Sequence, residues 1–170
     1  MDIVGNPFYG YVKLLCMEKI VITHIGIDEV VTVNKTVTEF DPYTKEYFDN
    51  RLKGKDSLII GAHINDHVVG YLVGYNRFND GSFYCWMVGV NPDFREKGVL
   101  KALMDYQEKW ARKREYSKIK IKTRNHLREM LTYLVRYGFY FTEVVEYPNI
   151  EDNRILLEKK LGAVHLIQKQ

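Results

Sequence analysis

The residues that bear most directly on chemistry run from Trp86 to Leu100, Trp-Met-Val-Gly-Val-Asn-Pro-Asp-Phe-Arg-Glu-Lys-Gly-Val-Leu. A short apolar run, Met87 to Val90, passes through Asn91-Pro92 into a loop, and Gly98 follows at the head of an amphipathic segment. The first turn of a helix has unpaired backbone N–H groups and carries the positive end of the helix dipole. Such amides bind phosphate, and Arg95, Lys97 and Lys101 add charge beside them. Gly98 lets backbone and anion approach closely, because it has no side chain. By itself, Arg-x-x-Gly is also how many ordinary helices begin.

Other groups carry weaker signals. Glu39, Asp41, Glu46 and Asp49 lie close in sequence. They are either a solvated acidic face or the seat of a cationic amine, with Glu39 as a base or water anchor. His63 and His67 have a metal-ligand spacing only if they share a helix. Asn65-Asp66 between them reads as a hairpin turn, which puts them on opposite strands, and no metal is expected. Cys16 and Cys85 are the two cysteines, in no metal or redox spacing, and Cys85 has no identifiable base partner.

The elements that must position these groups follow from periodicity. Lys19 to His24 reads as a strand, Ile27 to Val37 as a helix rich in β-branched residues, and Tyr43 to Leu52 as a second short helix. Leu58 to Ile64, Val68 to Tyr75 and Ser82 to Val90 are strands of an antiparallel meander, punctuated by Asn65-Asp66 and Asp80-Gly81. Val99, Leu103, Tyr106 and Trp110 form a helical stripe. Ile119 and Ile121 alternate with lysines in a strand, and Leu127, Met130, Leu131 and Leu134 form another helical stripe that Gly138 closes. Phe139 to Val145 and Arg154 to Leu161 are the final strands. The expected order is β-α-α-β-β-β-α-β-α-β-β, an α/β protein of the α+β type with a mixed, mostly antiparallel sheet and about four helices.

Length and composition bound the rest. With 170 residues, 46% apolar and 28% charged, the chain fits one globular domain able to bury its own core. Residues 1–16 precede the pattern and read as an N-terminal extension, with Met17 an alternative start and 17–170 as the single domain. Leu14-Leu15-Cys16 lacks the basic leader of a lipoprotein signal. No stretch approaches the ~20 apolar residues of a spanning helix, so no membrane partner and a cytoplasmic location are expected. Charge is uneven. Residues 93–136 hold 13 Lys/Arg against 6 Asp/Glu, whereas residues 1–92 hold 8 against 11. The basic segment should attract an anion.

Two motifs together narrow the choice. Val88-x-Val90-x-Pro92-x-Phe94-Arg95-x-x-Gly98-Val99 resembles the coenzyme A pyrophosphate motif of the GNAT superfamily of acyl-CoA N-acetyltransferases. Asn125 ahead of a helix ending in Tyr137-Gly138-Phe139 resembles that superfamily's next motif. The resemblance implies acetyl-CoA as co-substrate and an amine as acceptor. It implies that the backbone of Met87, Val88, Gly89 and Val90 pairs with the pantetheine arm, with a bulge accommodated at Gly89. The amides of Arg95, Glu96, Lys97, Gly98, Val99 and Leu100, with Lys101, would hold the pyrophosphate, and Asn125 would bond the cofactor arm. The superfamily's tyrosine acid falls at Leu134 here, which leaves Tyr133, one residue away, as the candidate.

Three readings result. The favoured one is an N-acetyltransferase acting on a primary amine. A GNAT-fold acyl-CoA-binding module with little catalysis is the alternative, and a nucleic-acid binder using the basic segment is unlikely on this pattern. The last two strands offer an edge for a homodimer.

Overall fold

The computed structural model describes residues 19–162; the extension assigned to 1–16 and the alternative start at Met17 lie outside the described residues. The elements are β1 (Val21–His24), α1 (Ile27–Asn34), α2 (Lys45–Leu52), β2 (Ser57–Ile64), β3 (His67–Tyr75), β4 (Ser82–Val90), α3 (Val99–Lys113), β5 (Lys118–Arg124), α4 (Arg128–Arg136), β6 (Tyr140–Val145) and β7 (Arg154–Lys160). The expected order is found, with 3-10 turns added at Pro92–Phe94 and Ile150–Asp152. The seven strands form one sheet in the order β1-β2-β3-β4-β5-β7-β6. Every pairing is antiparallel except β4 with β5.

Local chemistry explains most boundaries. The β2–β3 hairpin turns at Asn65 and Asp66, whose φ values of 49° and 65° are those of a two-residue type I′ turn. α1 stops three residues earlier than its β-branched run suggests. Its last residue, Asn34, is buried; its side-chain amide donates to the Tyr71 hydroxyl at 2.9 Å and its carbonyl accepts from the Tyr43 amide at 3.4 Å. An asparagine that satisfies both partners outside the helical ladder competes with helix continuation. Val37 is therefore tucked into the core beyond the helix end.

The sheet separates two apolar layers. On one face, Leu103, Met104 and Ala111 of α3 and Leu131 and Leu134 of α4 pack with Phe83, Cys85, Ile119, Ile121 and Leu157. On the other, Val30 and Val33 of α1 and Phe48 and Leu52 of α2 pack with Tyr71, Val73, Tyr75, Tyr84 and Met87. β6 is an edge strand, and Tyr140, Phe141 and Val144 along it are exposed. Among the described residues no helix is long and apolar enough to cross a membrane.

One irregularity shapes everything that follows. β4 pairs with β3 as Val73↔Met87 and Gly74↔Cys85, so Trp86 is the extra residue of a β-bulge. The bulge reverses the alternation of side chains. Before it, Phe83 and Cys85 face the α3 layer; after it, Val88 and Val90 do, while Trp86 and Met87 both face the α2 layer. The bulge expected at Gly89 is thus at Trp86. Gly89 serves a different purpose: a Cβ there would lie 2.8 Å from the Tyr71 ring and 3.1 Å from Val37.

Candidate active site

β4 and β5 are paired only from Ser82↔Lys118 to Cys85↔Ile121. Beyond that point β4 continues with β3 to Val90, and β5 continues with β7 to Arg124. The two central strands therefore split, leaving facing backbone edges along Trp86–Val90 and Lys122–Arg124. The split opens into a cleft of about 670 Å³ between Val88–Val90, the loop before α3, the first turn of α3, and the start of α4.

The floor of the cleft is formed by the loop before α3 and the first turn of that helix. Gly98 caps α3 with φ of 86° and contributes no side-chain bond to the cap, and Glu96 ahead of it also has positive φ, at 61°. The first backbone bond of α3 runs from the Ala102 amide to the Gly98 carbonyl at 3.0 Å. The amides ahead of it in the first turn have no partner within the helix. Gly98, Val99, Leu100 and Lys101 all line the cleft, as do Arg95 and Glu96. Lys101 is held by Asp105 at 2.6 Å.

Of the residues singled out from sequence, the structure gathers Glu39, Val88, Gly89, Val90, Arg95, Glu96, Gly98, Val99, Leu100, Lys101 and Tyr133 around this cleft, and leaves three outside it. Met87 is turned to the α1 layer by the bulge. Lys97 sits over the Phe94 ring, 4.9 Å from its centre. Asn125 donates to the Ile150 carbonyl at 3.0 Å, so it ties the end of β5 to the β6–β7 connection. Sequence reasoning missed Phe40, Phe94, His126, Arg128 and Met130, which complete the walls. Arg128 was visible only as one of many charges in the basic segment.

Tyr133 is where the structure says most. Leu134, at the superfamily's tyrosine position, is buried in the core. Tyr133 instead faces the cleft and stacks on Tyr137 with ring centres 5.6 Å apart. Its hydroxyl is buried and has no hydrogen-bond partner among the described residues. Burial, with the Asp105 and Glu108 charges behind it, pushes its pKa well above the ordinary tyrosine value. Tyr137 is engaged elsewhere, donating to Asp105 at 2.7 Å. Burial likewise pushes the Cys85 thiol up to about 12, which leaves essentially no thiolate near neutrality.

Glu39, the candidate base, is engaged by Arg95. Both its oxygens accept from Arg95, at 2.8 and 2.9 Å, and that bond holds its carboxyl below the usual carboxylate range. The acidic cluster is also dispersed: Asp41 reaches only toward the Tyr43 hydroxyl at 3.5 Å, while Glu46 and Asp49 are exposed. Glu39 is better described as a clasp joining the α1–α2 connection to the loop before α3. A carboxylate with a depressed folded pKa contributes its stabilisation above the unfolded pKa and loses it as pH falls. At neutral pH this contribution is complete. Glu39→Gln is therefore expected to leave the shape of the kcat–pH profile unmoved between pH 6 and 9. A base limb that disappears from that profile would restore Glu39 as base. The melting temperature should fall only slightly, because solvent-exposed pairs contribute about 0–1 kcal/mol.

Much of the charge in the basic segment is neutralised locally. Arg112 pairs with Glu108, Arg114 with Asp56, Lys118 with Glu158 and Lys120 with Asp80.

Comparison with known proteins agrees with this architecture. The model of the acetyltransferase (GNAT) family matches residues 27–139. Streptothricin acetyltransferase of Escherichia coli is 29% identical over 110 residues, 61% of this chain and 63% of that protein, so the chain spans less than two thirds of its length. The ribosomal-protein-S18-alanine N-acetyltransferase of Escherichia coli superposes with a TM-score of 0.75 at 13% identity, covering 89% of this chain and all of that one. PaiA N-acetyltransferase of Thermoplasma acidophilum, solved in complex with coenzyme A, superposes with a TM-score of 0.63 at 16% identity over 84% of this chain and 99% of that one. At these identities the two structures speak for the fold.

Proposed function

The chain belongs to the acetyltransferase (GNAT) family, and from that premise we propose that it transfers the acetyl group of acetyl-CoA to a primary amine. The observation that carries the reading is the buried, partnerless Tyr133 hydroxyl in a cleft built on split strands. A buried hydroxyl without a partner is costly to keep, and it is satisfied by a ligand that needs a donor there. The split edges and the α3 amides suit the two ends of coenzyme A: an amide-bearing arm that pairs with free strand backbone, and a pyrophosphate at a helix N-terminus.

The chemistry then falls to few groups. The neutral amine attacks the thioester carbonyl, whose developing oxyanion a β4 backbone N–H of the split stabilises. As the carbon–sulfur bond breaks, its electron pair stays on sulfur. The thiolate takes the Tyr133 proton, and the proton released by the amine passes to solvent, from which Tyr133 is restored. Holding amine and thioester together supplies much of the rate.

Thermal unfolding and thiol release test the reading together. Acetyl-CoA at 100 times its dissociation constant should stabilise the protein by about 2.7 kcal/mol, a shift of several degrees that ATP does not reproduce. Free thiol should then appear in proportion to an added amine. A shift without amine-dependent thiol from any of a broad amine panel would favour the binding module. No shift at millimolar acetyl-CoA would remove both.

A further inference from the structure

The split has a second mouth, on the α2 face of the sheet, opposite the cleft. The residues directly past the last β4–β5 pair are Trp86 and Lys122, and both face that side. Around them the structure collects cations. Arg51 lies over the Trp86 ring, 5.3 Å from its centre, and Arg77 lies over Tyr84 at 4.9 Å. Arg154 lies over Tyr147 at 4.8 Å and bonds the Asp152 carbonyl. Arg124 and Arg154 are direct partners across β5 and β7, two like charges in the pairing position that sheets normally avoid.

Among the described residues no carboxylate forms an ion pair with Lys122 or Arg124; the nearest approach is through Tyr43, whose hydroxyl donates to Asp41 at 3.5 Å and which lies within electrostatic reach of Arg124. The two carboxylates beside the same row of β5 are spent: Asp80 accepts from Lys120, and Glu158 from Lys118. Among the described residues Lys122 and Arg124 have no hydrogen-bond or ion-pair partner. Loss of hydration beside the sheet, with Arg77, Arg154 and Arg51 nearby, lowers the Lys122 pKa from its ordinary value. Burial alone shifts a lysine in that direction, and the three guanidinium charges add to it. The rings of Trp86, Tyr84 and Tyr147 each carry one of these guanidinium groups and hold it in place.

We propose that Lys122 and Arg124, flanked by Arg51, Arg77 and Arg154, seat an anionic group of the acceptor, so that the acetylated amine belongs to a small molecule bearing a phosphate or a carboxylate. The inference rests on the acetyl-transfer reading above, since it assigns this mouth of the split to the acceptor. It opposes the cationic acceptor suggested by the run from Glu39 to Asp49, whose carboxylates the structure disperses.

The test separates binding from turnover. With the donor site filled by coenzyme A, the protein is titrated calorimetrically with O-phosphoethanolamine, β-alanine, ethanolamine and spermidine. The phosphate- or carboxylate-bearing amine is expected to bind at least tenfold tighter than ethanolamine, and whichever of the two leads names the anion. Lys122→Gln and Arg124→Gln should each remove most of that preference, and Lys122→Arg should keep it. Equal affinities, no binding by any of the four, tighter binding of spermidine, or a preference that survives both glutamine variants would overturn the anion seat. Acetylated product is measured on the same four amines. An intact anion preference with no product from any amine would sink the transfer reading and leave the seat; efficient acetylation of spermidine above the anionic amines would do the reverse.

Discussion

Tyr133→Phe is expected to lower kcat by about 10²-fold or more, the usual contribution of a positioned general acid, while leaving the protein at least as stable as before. The two halves of this expectation come from the same observation. The Tyr133 hydroxyl is buried without a partner among the described residues, so removing it deletes no native hydrogen bond and relieves a desolvated polar group. A change of about 1 kcal/mol in the stabilising direction is expected from that relief. A tyrosine kept for packing alone would show the gain in stability but no loss of kcat, because the ring remains. The KM for acetyl-CoA should move little, since the hydroxyl acts on the departing sulfur. The pH profile gives an independent check. Burial raises the Tyr133 pKa, so its proton is present throughout the neutral range and the alkaline fall of kcat lies above the ordinary tyrosine value of about 10. A variant with kcat within threefold of the parent would transfer the acid to solvent.

The elements that frame the cleft were largely legible in the sequence, and the reason is local. A strand, a proline turn, a positive-φ glycine and an amphipathic helix are all written in consecutive residues, and each acts on its immediate neighbours. What was not legible depends on the third dimension. The bulge at Trp86 is set by how β3 lies against β4, not by a glycine in β4 itself, so the search for flexibility pointed to Gly89 when Gly89 is there to clear Tyr71 and Val37. Glu39 and Arg95 are 56 residues apart, and nothing in either neighbourhood announces that they meet. Asn125 sits in the right motif, yet the β6–β7 connection claims its side chain. Tyr133 was displaced by one residue from the familiar pattern, and only the helix's rotation against the sheet decides that Leu134 points inward and Tyr133 outward. The charge cluster around Lys122 is the same kind of case: five residues from α2, β5, β7 and the β3–β4 connection, invisible as a run.

Gly74→Ala should destabilise the protein more than a methyl group added at any other glycine of the sheet. Gly74 is the β3 residue opposite Cys85, at the step where the register shifts. A Cβ at that position would stand 2.5 Å from one carbon of the Phe83 ring, 2.9 Å from another, and 2.9 Å from the Tyr84 carbonyl oxygen. None of these yields cheaply. Phe83 is fully buried and wedged against Trp110 and Tyr116, with ring centres 4.9 and 5.1 Å away, and the carbonyl belongs to the strand backbone beside the bulge. Overpacking of this kind costs about 1–3 kcal/mol and sometimes more, and at about 2–4 °C per kcal/mol for a chain of this size the melting temperature should drop by roughly 2–12 °C. Gly26→Ala is the matched control, since its Cβ would meet only a Glu29 oxygen at 3.6 Å. The more telling readout is the affinity for acetyl-CoA, measured well below the melting transition. Accommodating the methyl group must move Phe83 or the Tyr84–Trp86 backbone, and Trp86 is where β4 leaves β5. Donor affinity should therefore weaken in Gly74→Ala, although Gly74 lies outside the cleft. Unchanged affinity alongside the lowered melting temperature would mean that the split is held by the loop before α3 alone, and that the bulge is a consequence of the cleft rather than its cause.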